Sequence, residues 1–173
     1  MILFLTGASH TGKTLLAQKL MERYRIPYFS IDHLKMGLIR SGQTALTPMD
    51  DDQLTPYLWP IVREMVKTAI ENNQNLTVEG CYIPADWKKD FGPEYLAQIR
   101  YCAIVMSRAY MEKNFDAIRS YGSVIEQRLD DSGLSMEELI RENEENLQLC
   151  RKHDNPYILV EDVYDIPLEK VWK

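Results

Sequence analysis

Along this chain, short unbroken apolar runs alternate with longer stretches in which apolar residues recur every three or four positions. The runs ILFLT (2–6), YFSI (28–31), NLTVEG (75–80), YCAIVMS (101–107) and YILVE (157–161) read as five strands. The first and fourth are apolar throughout, as strands buried on both faces must be. Helical spacing predicts a helix over 13–24, where Leu15, Leu16, Leu20 and Met21 share a stripe. A second is predicted over 32–42, from Asp32 as N-cap to a stop at Gly42. A third runs over 51–73 on Leu58, Ile61, Val62, Met65, Val66, Ala69 and Ile70, with Pro56 and Pro60 expected to divide or kink its beginning. One or two short helices broken at Gly92-Pro93 fill 87–99, and further helices are expected around 109–119, 123–130 and 135–152. Ser135 followed by Glu138 is a capping box for the last of these. A closing helical turn or two covers 166–173. Strands separated by helices imply an α/β fold with a mainly parallel sheet covered on both faces.

Composition narrows this without redirecting it. A length of 173 residues suits a single domain over 1–173, and no repeat or linker divides it. The net charge of −6 weighs against a nucleic-acid binder, so no nucleic acid is expected as a partner. Cys81, Cys102 and Cys150 are odd in number and widely spaced, which disfavours disulfide and zinc frameworks and suits a reducing cytoplasm. No apolar run approaches the ~18 residues of a membrane span. The apolar start has neither a basic n-region nor a long h-region, and reads as a buried strand instead of a signal peptide. No heptad seam speaks to oligomeric state.

The chemistry starts at GASHTGKT. Gly7, Gly12, Lys13 and Thr14 fulfil G-x-x-x-x-G-K-[ST], the Walker A pattern, between an apolar strand and an amphipathic helix. Glycines let the backbone fold tightly around phosphate oxygens with N–H groups inward, and the following helix presents its N-terminus to the same anion. Lys13 is expected to reach the outer phosphates and Thr14 to offer its hydroxyl to Mg²⁺, with Ser9, His10, Thr11 and Leu15 completing the nucleotide contacts. His10 has no metal partner nearby in sequence, and shaping the loop is its expected role. The guanine-reading N-K-x-D is absent, so ATP is the expected nucleotide.

Polar residues at the other strand ends extend the pattern: SIDHLK after the second strand and VEG at the end of the third. With these, the chain resembles the nucleoside-monophosphate-kinase-like P-loop kinases, which include adenylate kinase, shikimate kinase, zeta toxin and chloramphenicol phosphotransferase. The resemblance covers nearly the whole length in order of elements and implies the strand order 2-3-1-4-5. It also implies an acceptor-binding segment at about 30–73 and a short, metal-free lid at about 108–130. Asp32 takes the place of the acid that accepts the acceptor's proton in hydroxyl-directed members, or is a helix cap. Lys35 and Arg40 stand where adenylate kinases grip an acceptor phosphate, or are solvated helix charges. Glu79 matches the acid that organises Mg²⁺ through water, or acts as a base or on a sugar hydroxyl.

Lid arginines clamp the transferred phosphoryl in such kinases. Arg108, Arg119, Arg128 and Arg141 are the candidates, and Arg141 lies in MEELIRENEE, a helix like the one that follows the lid in adenylate kinases. Ordinary surface pairs with Glu137, Glu138 and Glu145 are the other reading of Arg141. Tyr82, Pro84 and Trp87 line the acceptor pocket or pack under the sheet, and Tyr57 and Trp59 carry the same choice. The expectation is an ATP- and Mg²⁺-dependent kinase of a small molecule, a hydroxyl being slightly favoured over a nucleotide phosphate as acceptor. The alternative is a nucleotide-binding switch acting through a protein partner docked on the acidic 137–145 face.

Overall fold

The computed structural model describes residues 1–121 and 135–172. Strands β1 (Ile2–Gly7), β2 (Tyr28–Ser30), β3 (Leu76–Glu79), β4 (Ile99–Met106) and β5 (Tyr157–Val160) form a five-stranded sheet in the order β2-β3-β1-β4-β5. Every pair is parallel, so the expected order and fold class hold. β1 lies at the centre, buried throughout, because its residues must satisfy packing on two faces at once.

Alternation along β1 sorts the core into two layers. Ile2 and Phe4 face α3 (Asp51–Glu71), together with Leu54, Leu58, Trp59, Val62 and Val66. Leu3 and Leu5 face α1 (Lys13–Tyr24), α5 (Arg108–Tyr121) and α6 (Met136–Lys152) through Leu16, Leu20, Met111 and Leu139. α2 (Ile31–Arg40), α4 (Pro93–Leu96) and α7 (Leu168–Trp172) complete the α-helices of the described residues, with a 3-10 turn at Trp87–Asp90. None of these helices is long and apolar enough to cross a membrane.

Local sequence and structure differ at instructive places. β2 stops at Ser30, whose register partner is Glu79, and the fully buried Ile31 already begins α2. Asp32 is therefore not the N-cap; Ser30 holds that position and Asp32 lies in the first helical turn. α3 is one continuous helix despite Pro56 and Pro60. Each proline removes a helical hydrogen bond, but the apolar face of α3 is clamped against the sheet, and that burial holds the helix together. α2 ends as the glycine signal predicts. Gly42 is left-handed, its N–H donates to Ile39 O at 3.1 Å, and Gln43 N–H donates to Leu38 O at 3.0 Å, a Schellman closure. Ser135 accepts from the Glu138 N–H at 3.1 Å, capping α6 as its spacing predicts. The helix expected at 123–130 lies outside the described residues.

The tryptophans belong to the core. Trp87 stacks on Tyr101 with rings 5.8 Å apart and 2° from parallel, and meets Phe4 edge-on at 5.2 Å. Its indole N–H donates to Asn155 Oδ1 at 3.2 Å, so the buried polar atom is satisfied. Trp59 packs on Phe4 and donates to Asp90 Oδ2 at 2.8 Å. Tyr57 sits higher, its hydroxyl donating to Gln43 O at 3.3 Å.

Gly7 closes β1 at a place where no side chain fits. Its φ is +134°, and a Cβ there would lie 2.2 Å from the Ile104 carbonyl oxygen of β4. Gly7→Ala is expected to cost about 3–5 kcal/mol of stability from combined backbone strain and overlap. Chemical denaturation would measure it; a loss below about 0.5 kcal/mol would show that the strand end relaxes freely.

Candidate active site

The loop between β1 and α1 folds on itself around its own backbone. The Thr11 hydroxyl donates to Ala8 O at 2.9 Å and the Lys13 ammonium donates to the same oxygen at 2.7 Å. His10 has a positive φ of 60°, the left-handed region that turns the backbone within the loop. Gly12 occupies the N-cap of α1 at φ 76° with no side-chain cap, which leaves the first-turn N–H groups to an anion. Lys13 and Thr14 open the helix, and Leu15 is half-buried beside them.

One brace of this loop escaped the sequence reading. The Tyr164 hydroxyl, between β5 and α7, donates to Thr11 O at 2.8 Å. A Cβ on Gly12 would lie 2.4 Å from that hydroxyl oxygen, so tyrosine and glycine occupy complementary space. Burial pushes the Tyr164 phenol well above its ordinary range, keeping it a donor. Tyr164→Phe removes one hydrogen bond worth about 1 kcal/mol and is expected to weaken ATP binding up to about fivefold by calorimetry. Unchanged affinity would reduce Tyr164 to a core residue.

Across the sheet edge, the Thr14 hydroxyl donates to Glu79 Oε1 at 3.3 Å. Glu79 is only 1% exposed, at the C-terminal end of β3, so the contact joins the first turn of α1 to a buried carboxylate. Gly80 makes the exit from β3 possible: its φ is +150° and a Cβ would press within 3.0 Å of Ile31 Cβ. Strand register sets Ser30 beside Glu79 on the face toward α1, and the buried Ser30 hydroxyl has no hydrogen-bond partner. A hydroxyl at the helix start, a buried carboxylate and an unpartnered hydroxyl on the same face are oxygen donors of the kind that Mg²⁺ takes, directly or through water. No group of three or more His, Cys, Asp or Glu side chains suited to a metal occurs among the described residues, so the protein alone does not build a full cage.

The second half of the site is a chain of polar contacts. Lys35 Nζ lies 2.5 Å from Asp32 Oδ1, one helical turn away on α2. The same ammonium donates to the Tyr82 hydroxyl at 2.9 Å, and Tyr82 donates in turn to Asp51 Oδ1 at 3.0 Å. Burial pushes the Tyr82 phenol far upward, with the charges of Asp51 and Asp32 adding to it, so it stays protonated. Cys81 keeps contact with solvent next to Tyr82, and burial is the main cause that raises its thiol. β3 ends beside the phosphate loop, and the chain that leaves it through Gly80 reaches the Lys35 ammonium at Tyr82.

The arginines are placed less uniformly. Arg40 is exposed at the C-terminal end of α2, away from the first turn that holds Asp32. Arg119 is exposed on α5, and Arg108 bridges α5 to α6 through Glu144 at 2.9 Å. Arg128 lies outside the described residues. Arg141 is turned to solvent, 3.9 Å from Glu145, the ordinary surface pair of its alternative reading. Its neighbour Glu142 points to the loop instead, accepting the Ser9 backbone N–H. Burial raises the Glu142 carboxyl, and the Ser9 N–H and Lys13 partly oppose the rise. The signal for it was present: Leu139, Glu142, Asn143, Asn146 and Cys150 form one helical stripe, and a charge within such a stripe faces a partner.

No family model and no curated protein matches the chain. Solved structures do. A candidate kinase from Chloroflexus aurantiacus superposes with a TM-score of 0.58 at 18% identity, covering 98% of this chain and 93% of the other. A shikimate kinase from Bacteroides thetaiotaomicron gives 0.53 at 16% identity over 99% and 93%. A gluconokinase from Sinorhizobium meliloti gives 0.51 at 13% identity over 98% and 85%. The chain thus has the P-loop fold of the nucleoside-monophosphate-kinase-like small-molecule kinases. At these identities the likeness is one of fold, and function has to be argued from the site.

Proposed function

We propose that this protein is an ATP-dependent phosphotransferase that moves the γ-phosphoryl group to a hydroxyl of a small molecule. The observation that carries the reading is the Thr14–Glu79 contact beside the phosphate loop, with Tyr82, three residues beyond Glu79, bound to the Lys35 that pairs with Asp32. The whole chain acts as one kinase-like domain, with 30–73 as its acceptor side and 108–130 as its lid. Residues 7–15 bind the triphosphate, Lys13 turning from the Ala8 carbonyl to the outer phosphates. Thr14 and Glu79 would hold Mg²⁺, which would supply charge neutralisation of the phosphates.

Asp32 accepts the proton as the acceptor oxygen forms its bond to the γ-phosphorus. The bond from that phosphorus to the β–γ bridging oxygen breaks, and ADP leaves with the bonding pair. Lys35 holds the Asp32 carboxylate in place. Tyr82, tied to both Lys35 and Asp51, fixes the lysine.

The test is ADP formation from ATP and Mg²⁺ with and without candidate acceptors, with the phosphorylated product confirmed by mass. Stimulation together with a phosphorylated acceptor supports the reading. ADP release that no acceptor accelerates would overturn it in favour of a nucleotide switch.

A further inference from the structure

The Tyr82 hydroxyl joins three segments of the chain, and the chemistry of its partners fixes its direction. The Lys35 ammonium carries only donors, so at 2.9 Å the phenol oxygen accepts from it. An ionised Asp51 carries only acceptors, so at 3.0 Å its Oδ1 takes the one phenol proton. With that proton committed to Asp51, the lone pairs of the oxygen are left for Lys35. The ammonium also lies 5.0 Å from the centroid of the Tyr82 ring, so ring and hydroxyl both hold it. Its carboxylate partner is Asp32, at 2.5 Å.

Both ends of this relay are anchored. Tyr82 is 4% exposed. Asp51 opens α3 directly after Asp50, whose Oδ2 accepts the backbone N–H and the hydroxyl of Thr47, each at 2.7 Å. Leu54 and Leu58 clamp the following turns into the core. A charge serving only the helix end has no need of Tyr82, and Asp52 also supplies the first turn with negative charge. Without Asp51 the phenol proton has no fixed direction, and where it faces the ammonium it repels it.

Resting on the phosphotransferase reading, we infer that Asp51 is a positioning residue for phosphoryl transfer, acting through the Tyr82 hydroxyl and Lys35 to place the Asp32 carboxylate. The relay starts on α3, crosses the segment that leaves β3 and ends on α2, at the group that takes the acceptor's proton. A small displacement of such a group lowers the rate steeply.

The experiment takes the best acceptor from the ADP-formation screen and measures kcat for Asp51→Ala, Asp51→Asn, Tyr82→Phe and the double variant of Asp51→Ala with Tyr82→Phe. Asp51→Ala and Tyr82→Phe are each expected to lower kcat about tenfold, the cost of a base that is present but misplaced. The double variant is expected to match Tyr82→Phe within about twofold, because Asp51 has no path to Asp32 once the hydroxyl is gone. Asp51→Asn keeps an acceptor oxygen for the phenol and is expected to lose less than Asp51→Ala. An unchanged kcat in Asp51→Ala or Tyr82→Phe, losses that multiply in the double variant, or an asparagine no better than alanine overturns the inference and leaves the phosphotransferase reading standing. No phosphorylated acceptor with the native protein overturns both. Asp51 is exposed and phenylalanine keeps the Tyr82 ring, so native-like thermal melts are expected for all these variants.

Discussion

Asp32→Asn is expected to lower kcat for phosphoryl transfer by about 10²–10⁴-fold, the range supplied by a positioned general base. The substitution is nearly isosteric. An asparagine oxygen still accepts from Lys35 Nζ, the partner that lies 2.5 Å from Asp32 in the native protein. What disappears is the ability to take up the acceptor's proton. The KM values for ATP and acceptor should change little, because Lys35, Tyr82 and Asp51 remain. The structural cost is small: Asp32 lies in the first turn of α2, where a negative charge favours the helix by about 0.3–1 kcal/mol. Steady-state kinetics beside a thermal melt separate the two effects. A variant with near-native kcat and a slightly lower melting temperature would make Asp32 a helix-stabilising charge and nothing more.

Removing the loop lysine acts on the other substrate. Lys13→Ala is expected to reduce ATP turnover by about 10²–10³-fold, as loss of one preorganised donor to a charge that builds in the transition state does. Lys13 is 8% exposed, and its ammonium donates to Ala8 O. Truncation leaves that carbonyl its bond from the Thr11 hydroxyl at 2.9 Å, so the loop keeps an internal tie. Circular dichroism should therefore remain native while ATP affinity and turnover both fall. Unaltered turnover would place the phosphates away from this loop and remove the foundation of the proposed function. Comparing Lys13→Ala with Asp32→Asn also distinguishes the half-sites, since only the first should weaken nucleotide binding.

The strands and helices, the phosphate loop and the ends of most elements were legible because each rests on a local signal, whereas the sheet order was implied by the resemblance to known kinases. Strand and helix periods differ, a glycine stops α2, and Ser135 caps α6 through the Glu138 N–H at three-residue spacing. Thr14 and Glu79 were both expected at a metal, and strand register alone brings the end of β3 beside the loop that follows β1. Less was legible where two distant elements meet. Tyr164 lies 153 positions from Thr11 and carries no motif. The choice between Arg141 and Glu142 depends on the rotation of α6 about its axis, where one residue changes direction by about 100°. Sequence likeness favoured the arginine, whereas packing of Leu139, Ile140 and Asn143 against the sheet turns its neighbour toward the loop.

Asp32 and the two prolines show the same division at smaller scale. Capping chemistry suggested Asp32 as a helix start, yet pairing of Ser30 with Glu79 fixes the strand end and moves the cap two residues earlier. Proline propensity suggested a broken helix at 56–60, yet burial of Leu54, Leu58 and Trp59 keeps α3 whole. The chain's own order of residues determined an α/β sheet with a phosphate-binding loop at its centre, because periodicity and glycine geometry act over a few neighbours. The tertiary structure alone decided which polar groups meet, since Lys35, Tyr82 and Asp51 come from three separate segments and touch only when those segments pack together.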